Sequence, residues 1–223
     1  MTEILSESVK VVFSDQTDAS SDSRLRECLN ANDLLNFFRI DGRHVVAVID
    51  MNKKYASLGR TFPAFAKVIV DQGAVVWRLG IDHPEVYLQE VAVRDQSQGI
   101  GPRQFAQLAR SFAAAQFVRV ATFGVRSPHR KQNLPTKDFG YNALPKWGFD
   151  GPIPASSKSD LPTSHSQMGD RSIRELLATV GGEQLWKDVG DSCELTFDLN
   201  SDSSSWRVLA SRLGQDLGSI QGN

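Results

Sequence analysis

The sequence is short of the residues that would staple, anchor or metallate it. Only two cysteines occur, Cys28 and Cys193, far apart and without a C-x-x-C spacing, which leaves no zinc or redox motif and reads as two buried reduced thiols. No apolar run approaches the roughly 20 residues of a membrane-spanning helix. The N-terminal stretch holds only the short patch Val11-Val12-Phe13, too small for a signal-peptide core, so a soluble cytoplasmic protein is expected. Neither charge sign dominates: 25 Lys and Arg stand against 26 Asp and Glu. That balance excludes a global positive field for nucleic acid or an anionic membrane surface, so an anionic ligand would have to be held by local geometry. The four histidines, His44, His83, His129 and His165, are scattered with no H-x-x-x-H pair, and no metal is expected. No G-x-S-x-G elbow supports a serine nucleophile, no G-x-x-x-x-G-K-[ST] run supports a P-loop, and the dinucleotide fingerprint fails at Gln104.

What is present is enough for one domain of mixed class. The chain has 223 residues and 40% hydrophobic content, enough for a sizeable core. Residues 1–22 contain a Ser- and Asp-rich stretch and read as a flexible N-terminal segment. One or two helices are predicted over 23–38. A hairpin is predicted around Asp41-Gly42, followed by the β-branched run 44–50. Phe62, Phe65, Ala66 and Ile69 could form a helical stripe. Strands are expected at 74–79 and 86–93, a helix from Ile100 to Phe117 with Pro102 in its first turn, and a strand at 118–125. Further on, a polar loop at 152–170, a helix at 173–180, a strand at 193–199 and a helix in the tail are expected. Strand, glycine turn, helix and strand make a βαβ unit and force one parallel pairing. The fold class is therefore α+β, a mixed and mostly antiparallel sheet flanked by helices, with one parallel crossover after Gly101. The main domain would span 23–200, with a C-terminal helix and tail at 201–223.

The turn inside that βαβ unit carries the chemistry. Gln96-Ser97-Gln98-Gly99-Ile100-Gly101 lies where the chain must leave a strand and begin a helix. Glycine there lets backbone N–H groups approach a ligand, and the helix N-terminus adds about 0.3–2 kcal/mol of stabilisation for an anion. Two glycines before a helix would also serve a plain tight turn. Pro102 removes one N–H just after the loop.

The stretch Val91-Ala92-Val93-Arg94-Asp95-Gln96-Ser97-Gln98-Gly99-Ile100-Gly101 resembles motif A of the GNAT N-acetyltransferase superfamily, Q/R-x-x-G-x-G/A. A second stretch, Gly140-Tyr141-Asn142-Ala143-Leu144-Pro145-Lys146-Trp147-Gly148-Phe149-Asp150, is similar to the segment of that family that ends near G-F. With Gly182-Glu183-Gln184-Leu185-Trp186-Lys187-Asp188-Val189-Gly190 and Phe197-Asp198-Leu199 downstream, the order resembles a GNAT-like subgroup of phage-related and polymorphic-toxin-associated proteins. The resemblance covers roughly residues 39–199. It implies acetyl-CoA as acyl donor and an amine as acceptor, with a catalytically silent CoA-binding or protein-interaction module as the alternative. The pyrophosphate would lie on the amides of Gln96, Ser97, Gln98, Gly99, Ile100 and Gly101, and pantetheine along Val91 and Val93. A homodimer is compatible with it.

Acetyl transfer to an amine needs a base and a proton donor for the leaving thiolate. Glu90, on the strand before the motif, is the candidate base, its carboxyl raised in pKa if it is partly buried in a cleft; a solvent-facing strand position is the alternative. Tyr141 is the candidate donor, or a core residue. Many members of the family carry a Tyr four residues before G-F, where this chain has Leu144. Arg126, His129, Arg130 and Lys131 form a basic cluster that could attract adenosine phosphates or lie in a solvated loop.

Overall fold

Alternating apolar residues in 75–93 build the centre of a sheet. The computed structural model describes residues 9–13, 45–50, 55–57, 60–62, 66–71, 75–82, 84–93, 100–126 and 140–215, with side chains at 75–80, 84–91, 100–126 and 140–215. Seven strands form one sheet in the order β1-β2-β5-β6-β7-β8-β9. They are β1 (Val9–Phe13), β2 (Val45–Asp50), β5 (Ala66–Asp71), β6 (Val75–Asp82), β7 (Glu85–Val93), β8 (Arg119–Gly124) and β9 (Cys193–Asp198). The short strands β3 (Tyr55–Ser57) and β4 (Arg60–Phe62) pair with each other in a separate hairpin.

The crossover expected after Gly101 is present. Strand β7 leads into helix α1 (Ile100–Ala114), which returns the chain to β8 parallel to β7. The β6/β7 and β8/β9 pairs are antiparallel, so the sheet is mixed and mostly antiparallel, as its sequence pattern implied. Two features depart from the sequence reading. A second parallel pair, β1 on β2, draws Val9–Phe13 out of the segment read as flexible and into the sheet edge. Of the helical stripe, Phe62 ends β4 and Ala66 and Ile69 lie in strand β5, while Phe65 lies outside the described residues; Val68, Ile69 and Val70 are β-branched, and antiparallel partners on β2 and β6 satisfy their backbone. Helical spacing of four apolar residues was outweighed by that pairing. Strand β2 has β1 on one edge and β5 on the other, while the hairpin turn at Asp41-Gly42 and the helices at 23–38 lie outside the described residues.

The C-terminal half closes the core. A 3-10 turn (Leu144–Trp147) is followed by α2 (Ala155–Ser159), a 3-10 segment (Thr163–Asp170), α3 (Ile173–Leu177), α4 (Gly182–Val189) and α5 (Ser204–Leu213). The polar stretch 152–170, read as loop, thus holds two short helical pieces. Helix α3 begins with a capping box in which Ser172 and Glu175 satisfy each other's backbone N–H groups. Helix α5 is integral to the domain: Trp206 and Leu209 are fully buried, and Trp206 meets Phe197 edge-on at 5.2 Å. Phe105 of α1 is the hub, with ring centroids 6.1 Å from Trp77, 5.0 Å from Phe149 and 5.1 Å from Phe197. Each such aromatic contributes about 1.5–3 kcal/mol by burial.

Cys193 opens β9 at 5% exposure. Burial, with a smaller contribution from the Asp191 charge, pushes its thiol from an ordinary value of 9.0 up to about 12. Below pH 9 the native and unfolded chains both keep this proton. Between about 9 and 12 the unfolded chain loses it first, so this group makes stability fall as pH rises through that window. In a Cys28→Ser background, thiol reagents should label Cys193 only after unfolding, and urea midpoints should drop as pH rises above about 9. Fast labelling of the folded protein would contradict the buried placement.

Candidate functional site

The parallel β7/β8 ladder stops before either strand does. Its pairs are Glu85↔Arg119, Val86↔Val120, Tyr87↔Ala121 and Leu88↔Thr122. Strand β7 runs on to Val93 and β8 to Gly124. The cause lies in β7. On its other edge Leu88 pairs with Leu79 and Glu90 with Arg78, so Gln89 is an extra residue with no opposite number, a β-bulge. A bulge bends its strand and sharpens the local twist, and this one comes directly after the last β7/β8 pair. Thr122 fixes the end of the ladder: its buried hydroxyl donates to the Leu88 carbonyl at 2.8 Å.

The bulge also changes which side chains face the core. Val86 and Leu88 are buried, but the next core-facing residue is Val91, which pairs with the fully buried Trp77. Glu90 is turned to the opposite face beside Arg78, and the two form an ion pair at 2.9 Å, each side chain about half exposed. The apolar spacing therefore lengthens from two residues to three between Leu88 and Val91. This break in alternation was the available signal for the bulge, and the reading of 86–93 as an uninterrupted strand passed over it.

Between the diverging strands lies an open slot of about 180 Å³. Leu88, Gln89, Glu90 and Val91 line it from β7, and Thr122, Phe123 and Val125 from β8 and the residues after it. Gly140, Ala143, Leu144 and Trp147 form the far wall. That wall is held close by glycine. Gly140 adopts φ +105°, and a side chain on Gly124 would strike the Tyr141 backbone at 2.9 Å. Phe149 and Asp150 anchor the wall's other end: the Asp150 backbone exchanges two hydrogen bonds with Thr196, and its carboxylate pairs with Arg174 at 3.0 Å. Lys146 reaches Glu183 of α4 at 2.6 Å, and this hydrogen bond holds the Glu183 carboxyl below the usual carboxylate range.

Helix α1 starts beside this wall. Its first turn contains no acidic residue, and its N-terminal residues Gly101 and Pro102 are buried. The reason for glycine at 101 is visible: an added Cβ would lie 2.9 Å from Trp147 Cη2. Gly101 thus lets the indole that lines the slot pack on the helix start, a role distinct from both the ligand approach and the plain tight turn expected from the sequence.

Of the residues singled out in the sequence, Val91 and Glu90 line the slot, Val93 ends the strand that forms one side of it, and Ile100 and Gly101 begin the adjacent helix. Gln96, Ser97, Gln98 and Gly99 lie outside the described residues, as do His129, Arg130 and Lys131. Tyr141 is not among the residues that line the slot. It is fully buried, its hydroxyl donates to the Lys187 carbonyl at 3.4 Å, and its ring lies 6.0 Å from Trp186. Arg126 is committed as well: its guanidinium donates to the Gly190 and Asp188 carbonyls, satisfying the C-terminal end of α4, and lies 5.7 Å from the centre of the Tyr141 ring. Leu144 occupies the slot wall. Among the described residues no three His, Cys, Asp or Glu side chains gather as metal ligands, and no helix is long and apolar enough to cross a membrane.

Comparison with known proteins returned no match among family models, curated proteins or solved structures.

Proposed function

We propose that the slot between β7 and β8 takes the pantetheine arm of acetyl-CoA, and that the protein is an acyl-CoA-dependent N-acetyltransferase of the GNAT type. The observation that carries the reading is the early end of the β7/β8 ladder: a parallel pair is forced apart by a bulge, an apolar slot opens in the gap, and a helix begins beside it. A narrow slot suits a linear chain better than a compact metabolite, being smaller than the roughly 300–1,000 Å³ of common ligand pockets. Motif A and the G-F segment supply the family resemblance on the two sides of this slot. In the reaction an amine nitrogen attacks the thioester carbonyl, the carbon–sulfur bond breaks, the amine's proton passes to a base and the thiolate takes up a proton. Glu90 is the base candidate, through its position on the slot. Its pairing with Arg78 keeps the carboxylate at the surface, where it could reach the amine through water.

A second reading is favoured by a specific observation. Leu144 stands on the slot wall where many members of the family have a Tyr, and the Tyr141 phenol is buried against α4. A CoA-binding module without turnover fits that arrangement.

Calorimetric titration with acetyl-CoA tests the proposal. Binding with acetyl transfer to an amine panel supports the enzyme, binding without turnover supports the module, and no binding refutes both. Filling the slot by Ala143→Phe should weaken binding at least about tenfold while leaving the free energy of urea unfolding within the roughly 0.5 kcal/mol expected away from the core. Unchanged affinity in that variant would put the ligand elsewhere.

A further inference from the structure

We propose that Gln89 is the hydrogen-bonding residue of the slot, its side-chain amide holding the carbonyl of an amide or thioester in a narrow linear ligand. Gln89 is the bulged residue of β7 and lines the slot. Its Nε2 is buried and has no hydrogen-bond partner among the described residues. The two other polar side chains on the slot are already engaged, Thr122 with the Leu88 carbonyl and Glu90 with Arg78. Opposite stand Leu144 and the indole of Trp147. An amide N–H withdrawn from water without an acceptor destabilises the free protein, so a residue of this kind in a mostly apolar slot is explained by an acceptor that arrives with the ligand. A bulge suits the task, because the extra residue is released from the alternation that would send it to one face of the sheet or the other. The choice of an amide- and thioester-containing ligand rests on the acyl-CoA reading, whereas the need for a carbonyl acceptor rests on Gln89 alone.

The test compares wild type with Gln89→Met, which keeps the length of the side chain and removes the donor. Three probes are titrated: coenzyme A, acetyl-CoA and the truncated thioester S-acetyl-N-acetylcysteamine. The expected result is about tenfold weaker binding in Gln89→Met with a melting temperature equal to or above that of wild type. Equal losses for coenzyme A and acetyl-CoA assign the contact to a pantetheine amide carbonyl; a loss confined to acetyl-CoA assigns it to the thioester carbonyl. Either outcome supports the proposal. Gln89→Glu, which puts an acceptor where the donor was, should lose the same binding and serves if the Met variant does not fold. Undiminished affinity in these variants overturns the proposal while leaving the acyl-CoA reading intact, and so does a loss accompanied by a lowered melting temperature in both variants, which would assign Gln89 to the fold. If wild type binds the truncated thioester but neither coenzyme, the acyl-CoA reading fails and the same comparison on that probe decides the role of Gln89. Failure of wild type to bind any of the three overturns both.

Discussion

Gly148→Ala should destabilise the protein by about 2–5 kcal/mol, a large part of the roughly 5–15 kcal/mol that holds an ordinary domain folded. Gly148 ends the 3-10 turn in a left-handed conformation at φ +98°, with its N–H turned back to the carbonyls of that turn. A Cβ there would stand 2.2 Å from the Ser205 carbonyl oxygen, which belongs to the first turn of α5. Backbone strain and collision therefore add, and neither can be relieved by a rotamer change, since the obstacle is itself backbone. Gly181→Ala separates the two effects: Gly181 has φ +76° but open space around its Cα, so only the backbone term of about 1–2 kcal/mol remains. Urea unfolding of the two variants gives the comparison directly. If Gly148→Ala cost no more than Gly181→Ala, the close packing of α5 on the slot wall would be wrong. The glycine of the G-F segment is thus required by the way the wall and α5 meet.

Local patterning made much of this arrangement legible. Val86 and Leu88, followed by glycines and then by Ile100, Phe105, Leu108, Ala109 and Phe112 at helical spacing, announced strand, turn and helix, and parallel pairing followed from the connection alone. Both sides of the slot also fell within stretches singled out in the sequence, Val91 in the first and Gly140, Leu144 and Trp147 in the second. The slot itself could not be read as a space. It arises from one extra residue in β7, and a bulge shows in sequence only as a skipped beat between Leu88 and Val91. The fate of individual side chains was less legible still. Tyr141 and Arg126 look available in sequence, yet each is taken by the C-terminal end of α4, 46 and 64 residues later. Such contacts come from tertiary packing, which no local period encodes. The residues at 62–69 show the same competition: their spacing fits a helix, and strands β2 and β6 on either side decide otherwise.

Phe105→Ala should be comparably severe, costing about 3–5 kcal/mol as a large-to-small change in a packed core. Phe105 is 1% exposed and bridges three parts of the domain at once: Trp77 on β6, the slot-wall residue Trp147 with nearby Phe149, and Phe197 on β9. Phe105→Leu keeps much of the volume and should recover roughly half of the loss. The substitution also separates stability from the site. Trp147 packs on α1 at Gly101 and lines the slot, so a cavity at Phe105 removes support from the indole, whose ring centroid lies 6.2 Å away. The Ala variant, still folded at low temperature, should therefore show altered Trp fluorescence and weaker ligand binding, with the affinity loss larger than that of a surface control such as Arg207→Ala. Stability lost with affinity unchanged would mean that β7 and β8 alone define the slot and that the aromatic wall does not.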